Sequence, residues 1–360
     1  MIFLRYNNQD ITNQGTRGGA MFDAPNWIMG MGQRRIGNRG QFRFSVMLCL
    51  DPITVGGAGY PLLFQSGETW QGQPLVDRQH PHNFFSELSI GYTHMISRDM
   101  DVFVYLAMPG EPALGPGAFM HRISAFNNPD APLGHHWQDA THIIFGVATL
   151  GFRYNIFNLE GSVFTGREPG EERFGFDRPR FDSYSARLSV NPTPALALQV
   201  SSSYIVSPEV TRPDENVRRT TASAIHAYQL GTNSFLNTSL IWGHNFSAGH
   251  HNEHSVLLES NLQFPRWAAY GRYEWLQKSV EELNLEEEIY GHGTVFNINA
   301  LTLGLNYNFL QLANTNFTLG LQGTIFVSDD QLADLYGKNP KALQTFIRIY
   351  PGLMSAGFRR

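Results

Sequence analysis

Apolar and polar residues alternate with a period of two through most of the 360-residue chain, and this pattern constrains the fold more than any other feature. In "NALTLGLNYNF" (299–309), every second residue from Leu301 to Phe309 is apolar, and the residues between them are small or polar. Because the side chains of an extended strand point alternately to its two faces, each such segment predicts a β-strand with one apolar face. The pattern recurs in "QFRFSVMLCL" (41–50), "SYSARLSV" (183–190), "WAAYGRYEW" (267–275) and "FTLGLQGTIFV" (317–327).

Two properties of these strands favour a membrane β-barrel over a soluble β-sandwich. The apolar face is nearly pure over about nine to eleven residues, which is the length of a tilted membrane-spanning strand. The opposite face is small, glycine-rich and partly charged, as expected of a water-filled lumen. Charged residues make up only 16% of the chain, against about 25% in soluble proteins. A soluble, secreted β-rich protein is the alternative, and a requirement for detergent would separate the two.

The connections between the predicted strands are alternately short and long. The short ones are 37–40, 97–99, a turn near 154–158, 191–194, 231–233, 265–266 and 313–315. The long ones are 10–23, 51–83, 110–139, 166–180, 207–217, 244–253, 279–294 and 328–340. Short turns on one rim and long loops on the other are typical of an outer-membrane barrel.

We therefore predict an all-β fold: a single antiparallel transmembrane β-barrel domain over residues 1–360, located in the bacterial outer membrane. The predicted strand number is about sixteen, within a range of about 14–18. The first strand is residues 2–8 and the last is roughly residues 343–357. An even number of strands brings both chain ends to the short-turn, periplasmic rim.

Composition narrows the range of partners. The net charge of −5 gives no basic footprint, so we expect no nucleic-acid partner. Cys49 is the only cysteine, so we expect neither an internal disulfide nor a cysteine-built metal site. The start, "MIFLRYNN", lacks the basic residues and apolar core of a signal peptide. We expect either that the protein is not exported or that its true start lies upstream.

The histidines gather in the predicted long loops, which contain eleven of the thirteen or begin beside them. Loops 51–83 and 110–139 are the longest, and they are low in charge and rich in glycine, proline and apolar residues. A loop that stood in water would be more polar. We therefore predict that these two loops fold inward and plug or constrict the lumen; the alternative is that they pack on each other outside the barrel.

The stretch "DRQHPHNFF" (77–85) suggests a metal site. In an extended backbone, His80 and His82 point to the same side about 6.5–7 Å apart, so that both imidazoles could reach one ion. Asp77 and Glu87 are nearby carboxylates that could orient a ring or complete the ligand shell.

A second stretch, "GHHWQDATHI" (134–143), supplies further candidates, although an extended chain would let only one of two adjacent histidines face a given ion. The candidate ligands are His80, His82, His121, His135, His136 and His142. The candidate lumen or constriction residues are Asp77, Arg78, Glu87, Met120, Arg122 and Asp139. Imidazole with thioether suits copper, zinc or nickel better than calcium or magnesium.

Two other interpretations of these histidines stay open. They could be structural hydrogen-bonding groups, because no spacing matches a strict zinc signature and Arg78 and Arg122 would repel a cation. They could also serve an enzyme at the outer rim, with His142 beside Asp139 or Ser86 beside His82. No G-x-S-x-G motif supports the enzyme. The stretch "GHHNEH" (249–254) predicts a polar loop tip or a weak metal site.

Four motifs resemble a group of exported proteins of Gram-negative bacteria that are encoded near heavy-metal or copper resistance genes. The motifs are "LVDRQHPHNFF" (75–85), "MPGEPALGPGAFMHR" (108–122), "APLGHHWQDATHI" (131–143) and "GSVFTGREPGE" (161–171). The likeness covers about residues 20–245. Members carry a signal peptide and a Met/His-rich segment before the first strand, so the resemblance implies an N-terminal truncation. It implies an outer-membrane setting and no particular mechanism.

These observations favour a porin-like channel for small solutes or ions that is linked to transition-metal handling. The alternative is an outer-membrane enzyme with a histidine-rich site at the extracellular mouth. The expected partners are membrane lipid, lipopolysaccharide, and small solutes or metal ions, and the expected cofactors, if any, are copper, zinc or nickel.

Overall fold

The computed structural model describes residues 1–139, 143–247 and 252–352. In these residues, seventeen strands form one antiparallel sheet and two more form a separate hairpin. In chain order, the strands are β1 (Ile2–Asn8), β2 (Ala20–Asp23), β3 (Ile28–Ile36), β4 (Gly40–Leu48), β5 (Tyr60–Trp70), β6 (Gln73–Gln79), β7 (Phe85–Met95), β8 (Met100–Ala107), β9 (Val147–Tyr154), β10 (Phe157–Phe164), β11 (Ser183–Thr193), β12 (Leu196–Val206), β13 (Asn216–Gly231), β14 (Ser234–Ser247), β15 (Asn252–Gln263), β16 (Trp267–Ser279), β17 (Val295–Leu312), β18 (Thr315–Ser328) and β19 (Lys341–Pro351).

The large sheet closes on itself into a barrel. Strand β1 pairs with β19 on one side and with β2 on the other, while β3 continues the sheet to β4. The chain between β2 and β3 stays beside β1, because Phe3 N donates to Pro25 O (3.1 Å) and Trp27 N donates to Met1 O (2.9 Å). Strands β2 and β3 are therefore two parts of one interrupted strand of the barrel wall. Counted in this way, the seventeen strands cross the wall sixteen times. The predicted closed barrel of about sixteen strands is confirmed.

Side-chain burial follows the predicted alternation. On β17, Leu301, Leu303 and Leu305 are 46%, 61% and 56% exposed, whereas Ala300 and Thr302, which alternate with them, are buried. The apolar face therefore points outward and the small face points into the lumen. A continuous outward surface of exposed leucine, isoleucine and phenylalanine is stable in contact with lipid and would aggregate in water. The outward surface is thus the membrane-facing one.

The turns and loops lie on opposite rims, as predicted. The turn at 313–314 has only two residues, and Ala313 and Asn314 both have positive φ (46° and 60°). Positive φ at both central residues defines the tight turn that matches the twist of a β-hairpin. Exposed aromatic side chains such as Tyr154, Phe157 and Trp267 lie beside the short turns, at the level of a membrane interface.

Helical structure in the described residues consists of short turns within the long loops. The helices are α1 (Asp51–Thr54), α2 (His135–Gln138), α3 (Glu287–Tyr290) and α4 (Ala333–Tyr336), with 3-10 turns at Phe119–His121, Ile123–Ala125 and Asp330–Leu332. None of the described helices has the length and apolar character needed to cross a membrane.

Two long loops fold into the barrel. The β5–β6 hairpin packs on lumen-facing side chains, since Asn7 Nδ2 donates to Pro61 O (2.8 Å) and the rings of Phe64 and Phe326 lie 5.5 Å apart. In loop 108–146, Ala113 N donates to Ser162 Oγ (2.8 Å). These contacts confirm the prediction that the two longest loops occupy the lumen.

Buried ion pairs hold loop 108–146 to the wall. Glu259 accepts from Arg122 Nε of the loop (2.8 Å) and from Arg272 Nε of the wall (3.1 Å). Asp130 contacts Arg5 (2.5 Å), and its second oxygen accepts from Gln322 Nε2 and Gln344 Nε2. The lumen-facing charges that alternation predicted are therefore compensated by charges of the loop.

An arginine on the lipid-facing side should destabilise the barrel, and the same residue on the lumen side should not. Ile90 of β7 is 48% exposed on the outward face, and Thr93 of the same strand borders a cavity in the lumen. We expect Ile90→Arg to lower the free energy of unfolding by about 2–4 kcal/mol and Thr93→Arg to change it by less than about 1 kcal/mol. Denaturant titrations of both variants in lipid would measure this, and equal losses would contradict the assigned register.

Candidate functional site

Three of the predicted ligands meet in the barrel interior, where they form a group that we call the histidine cluster: His80, His135 and His136. One imidazole nitrogen from each residue lies within 4.8 Å of the other two, and all three residues are buried. The ring centroids of His135 and His136 are 4.1 Å apart, and the His80 ring lies 6.1 Å and 5.6 Å from them. The arrangement is compact enough for all three imidazoles to reach a single cation.

Two short segments position the cluster. His80 follows directly after β6, and Pro81 stiffens the chain behind it. His135 and His136 lie on α2, which is held to the wall because Asn245 Nδ2 donates to His136 O (3.2 Å) and Trp137 Nε1 donates to Glu253 Oε2 (3.1 Å).

The close approach of the hairpin to the cluster depends on a glycine. Gly67 has a φ of +124°, and a Cβ at this position would lie 2.4 Å from His136 Cε1. A side chain at residue 67 would therefore push the β5–β6 hairpin away from the imidazoles.

Two buried carboxylates complete the cluster. Glu68 Oε1 lies 3.2 Å from His80 Nδ1, and Glu168 Oε1 lies 3.3 Å from His136 Nδ1. Arg173 contacts Glu68 at 2.5 Å. Burial raises the pKa of both glutamates, although Arg173 opposes this effect at Glu68. A cation at the imidazoles would stabilise both carboxylates in their charged form.

Neither glutamate was among the candidates from the sequence. Glu68 lies within a predicted loop with no motif around it, and Glu168 lies in "TGREPGE", more than 80 positions from His80. The only signal was that Glu168 belongs to one of the four motifs that carry the family resemblance.

The prediction that only one of His135 and His136 can face an ion is wrong. It assumed an extended backbone, in which adjacent side chains point in opposite directions. The two residues instead lie on the helical turn α2, where adjacent side chains diverge by about 100°. Both rings therefore point toward His80.

His82 belongs to a different group, which we call the cysteine cluster: Cys49, Asp51 and His82. Their ligand atoms all lie within 4.8 Å of one another. His82 Nδ1 lies 2.8 Å from Asp51 Oδ2, and Cys49 Sγ donates to Asn26 O (2.7 Å). Burial raises the pKa of the Cys49 thiol well above its usual value. A single cysteine predicts no metal site built on cysteine, yet the fold places Cys49 beside two other potential ligands.

Other candidates from the sequence hold the loops in place. Asp77 accepts from Phe64 N (2.7 Å) and Tyr336 Oη (3.1 Å), and Arg78 donates to the carbonyls of Ala58 and Gly59 (2.6 and 2.5 Å). Arg122 is paired with the carboxylate of Glu259, which offsets its charge, whereas Arg78 donates to neutral carbonyl groups and keeps its positive charge. The expectation that Arg78 would repel a cation therefore stays a prediction. Ser86 Oγ donates to Asn83 O (2.8 Å), so its proton is not shared with His82 as the proposed hydrolase pair would require.

The remaining candidates lie lower in the barrel or outside the described residues. Glu87 and His121 border a lumenal cavity of about 660 Å³, where His121 Nε2 lies 3.4 Å from Glu111 Oε1. Met120 lines a separate small pocket together with Glu87 and His121. His142 is not among the described residues, and neither are positions 249–251 of "GHHNEH".

A second cavity, of about 270 Å³, opens on the long-loop side of the histidine cluster. Its lining includes Glu68 and Glu168, which contact the imidazoles. Five glutamates and one arginine line it: Glu68, Glu168, Glu209, Glu281, Glu282 and Arg212. Burial and the neighbouring Glu282 raise the pKa of Glu209 to about 7. Such an acidic depression attracts cations and repels anions.

The chain is similar to solved outer-membrane proteins in fold. The OmpF structure of Salmonella typhi in complex with daunomycin has a TM-score of 0.54 at 8% identity, covering 97% of both chains. The loop L8 deletion mutant of OmpT from Vibrio cholerae has a TM-score of 0.52 at 6% identity, covering 97% of this chain and 98% of that one. The anion-selective porin of Comamonas acidovorans has a TM-score of 0.50 at 10% identity, with the same coverages.

The protein therefore has the fold of an outer-membrane β-barrel. At 6–10% identity the likeness concerns the fold alone. No family model and no curated protein matches the sequence. The family resemblance and the metal link stay predictions.

Asp139 should make stability depend on pH. Its buried carboxyl group accepts no hydrogen bond from the described part of the chain, and burial raises its pKa from 3.8 to about 8, against the opposing charges of Arg122 and Arg219. Because the pKa is higher in the folded state, this contribution to stability is complete at low pH and is lost as pH rises from about 4 to about 8.

We expect the Asp139→Asn variant to lack this loss of stability. At pH 9 the variant should be more stable than the wild-type protein by at least about 1 kcal/mol. Urea titrations of both proteins at pH 4 and pH 9 would measure the difference. A difference between the two proteins that does not change with pH would show that the Asp139 carboxyl group has the same pKa in the folded and unfolded states.

Proposed function

We propose that the barrel is a channel for small cations and that the histidine cluster is a constriction that binds transition-metal ions. The proposal rests chiefly on one observation, which is the meeting of three imidazoles and two carboxylates directly beneath an acidic cavity. Loops folded into a barrel narrow its lumen, and the charged groups around a constriction set ion selectivity.

The acidic cavity would concentrate cations at the outer side of the cluster. It is lined by five glutamates, of which Arg212 contacts two, Glu209 (2.6 Å) and Glu282 (2.8 Å). The raised pKa values of Glu68, Glu168 and Glu209 reflect the cost of burying negative charge together, and a bound cation lowers that cost.

The donor set favours a borderline transition metal. Imidazole with carboxylate suits zinc, copper or nickel better than magnesium or calcium, which favour sites made of oxygen ligands. His135 Nδ1 lies 2.8 Å from Pro132 O, and a proton donated there makes Nε2 the lone-pair nitrogen. A carbonyl partner of this kind fixes the orientation of a metal-binding imidazole.

Below the cluster, the lumenal cavity offers a path toward the periplasmic rim. It is lined by alternating ion pairs, including Arg187 with Glu160 (2.8 Å) and Arg153 with Asp101. Loop 108–146 lies between the outer cavity and this lower one, and its buried contacts with the wall keep it in place. Passage of an ion therefore requires movement of part of this loop, which makes the loop a gate.

Weakening the attachment of the loop should open the channel. Asp130 joins the loop to Arg5, Gln322 and Gln344, and loss of a buried charged partner typically costs about 3–5 kcal/mol. We expect Asp130→Ala to increase single-channel conductance or open probability in planar bilayers. Asp99→Ala, in an exposed short turn, is the control. An unchanged conductance in a folded Asp130→Ala barrel would mean that the loop does not gate the lumen.

Metal ions should bind at the cluster and reduce the current of monovalent cations. We expect protein treated with zinc and then desalted to retain the metal, and micromolar zinc to block conductance. The double variant His135→Ala, His136→Ala should lose the block, and His226→Ala, an exposed histidine of β13, should keep it. Both effects should weaken below about pH 6, because protonated imidazole cannot bind a metal. A block that the double variant retains would locate the metal elsewhere.

A further inference from the structure

We propose that the cysteine cluster is a second metal site, which takes a thiophilic transition-metal cation such as Zn²⁺ or Cu⁺. It shares no residue with the histidine cluster, and its three ligands are a thiol, a carboxylate and an imidazole from Cys49, Asp51 and His82. The site stands on its own geometry and does not require that the barrel conduct ions.

The three ligand atoms already lie at the spacing of a metal site. They are all within 4.8 Å of one another before any ion is bound, and Cys49, Asp51 and His82 are 1%, 1% and 6% exposed. Ligand atoms about 2.0–2.3 Å from a tetrahedral zinc ion are separated by about 3–4 Å, so small side-chain movements would suffice.

The fold holds the three residues in place from separate parts of the barrel. Cys49 follows β4 on the lumen-facing side, and Asp51 begins α1 two residues later. Their backbone is fixed because Cys49 N donates to Phe84 O (2.9 Å) and Leu50 N donates to Asn26 Oδ1 (3.0 Å). His82 comes from the segment that follows the β5–β6 hairpin, two residues before Phe84, whose carbonyl accepts from Cys49 N.

The break between β2 and β3 helps to position Cys49 and Asp51. Asn26 lies in that break, where its backbone oxygen accepts from the Cys49 thiol and its N–H donates to Asp51 Oδ1 (3.1 Å). An unbroken strand would direct both backbone groups of Asn26 into the sheet ladder. The interruption therefore orients the thiol and the carboxylate toward the same point as His82.

Metal binding here is a balanced exchange of a cation for a proton. The cation forms a bond to Cys49 sulfur as the thiol proton leaves to solvent, and no electron is transferred. Asp51 donates a carboxylate oxygen, and His82 binds through the nitrogen that carries no proton. A sulfur ligand favours Zn²⁺ or Cu⁺ over Mg²⁺ or Ca²⁺.

The two clusters are neighbours. The rings of His80 and His82 are 5.6 Å apart, with only Pro81 between the two residues in sequence. Two ions bound at once would therefore lie close to each other, and closely spaced cation sites weaken one another's binding and speed release. The cysteine cluster thus supplies the second of two adjacent positions for a metal.

Cobalt offers a direct test, because thiolate ligation to Co²⁺ produces a charge-transfer absorption band that imidazole and carboxylate ligands do not. The full-length protein in detergent is stripped with chelator, loaded with excess Co²⁺ under reducing conditions and desalted. We expect two equivalents of cobalt and a charge-transfer band. Cys49→Ser should lose the band and one equivalent, whereas His135→Ala with His136→Ala should keep the band and lose the other equivalent.

The cobalt content and the charge-transfer band together distinguish a failure of the cysteine cluster from a failure of the histidine cluster in the proposed function. One equivalent without the band overturns the cysteine site and leaves the histidine cluster as a metal site. The band with one equivalent supports the cysteine site and counts against the histidine cluster. No bound cobalt overturns both.

A second measurement covers a Cys49→Ser variant that fails to fold. In wild-type protein partly opened with mild denaturant, zinc should slow alkylation of Cys49 at least tenfold while magnesium does not. Equal alkylation rates with and without zinc would overturn the site without any variant.

Discussion

The whole structure depends on the requirement that every backbone N–H and C=O group within the bilayer be hydrogen-bonded inside the protein. The sheet meets it by closing, through the pairing of β1 with β19 and with β2. Closure fixes one face of each strand toward lipid and the other toward an interior too wide for wall side chains alone to fill. The rest of the polar interior is therefore filled by loops, which are residues 49–84 and the described residues of loop 108–146.

The wall and the loops fit each other through charge and through size. Glu259 and Arg272 would be exposed in an empty lumen, and Arg122 of the loop joins them in a buried ion-pair group. Small wall residues allow the loop to lie close: a Cβ on Gly243 would be 2.1 Å from Trp137 O. These contacts hold α2 against β14, and so they determine where His135 and His136 can point.

The sequence predicts the barrel well because strand alternation is a local property that any single segment displays. It predicts the inward loops from their unusual lack of charge. It does not predict the composition of the two clusters, since Glu68, Glu168 and Cys49 reach them through contacts between distant segments. Adjacent His135 and His136 were assigned to opposite sides because a single helical turn inside a loop has no periodicity to reveal it.

If the barrel conducts cations as proposed, its selectivity is a property of the loops, and the wall affects it only through its contacts with them. Imidazoles, thiol and most of the acidic groups belong to segments outside the membrane-spanning strands, whereas the strands contribute mainly small and polar contacts that seat those segments. Barrels with similar walls can therefore present different chemistry if their loops differ, which fits a likeness in fold to porins at no more than 10% identity. The proposed metal ligands are residues that alternation leaves unassigned, and their positions follow from contacts with the charges and glycines of the wall.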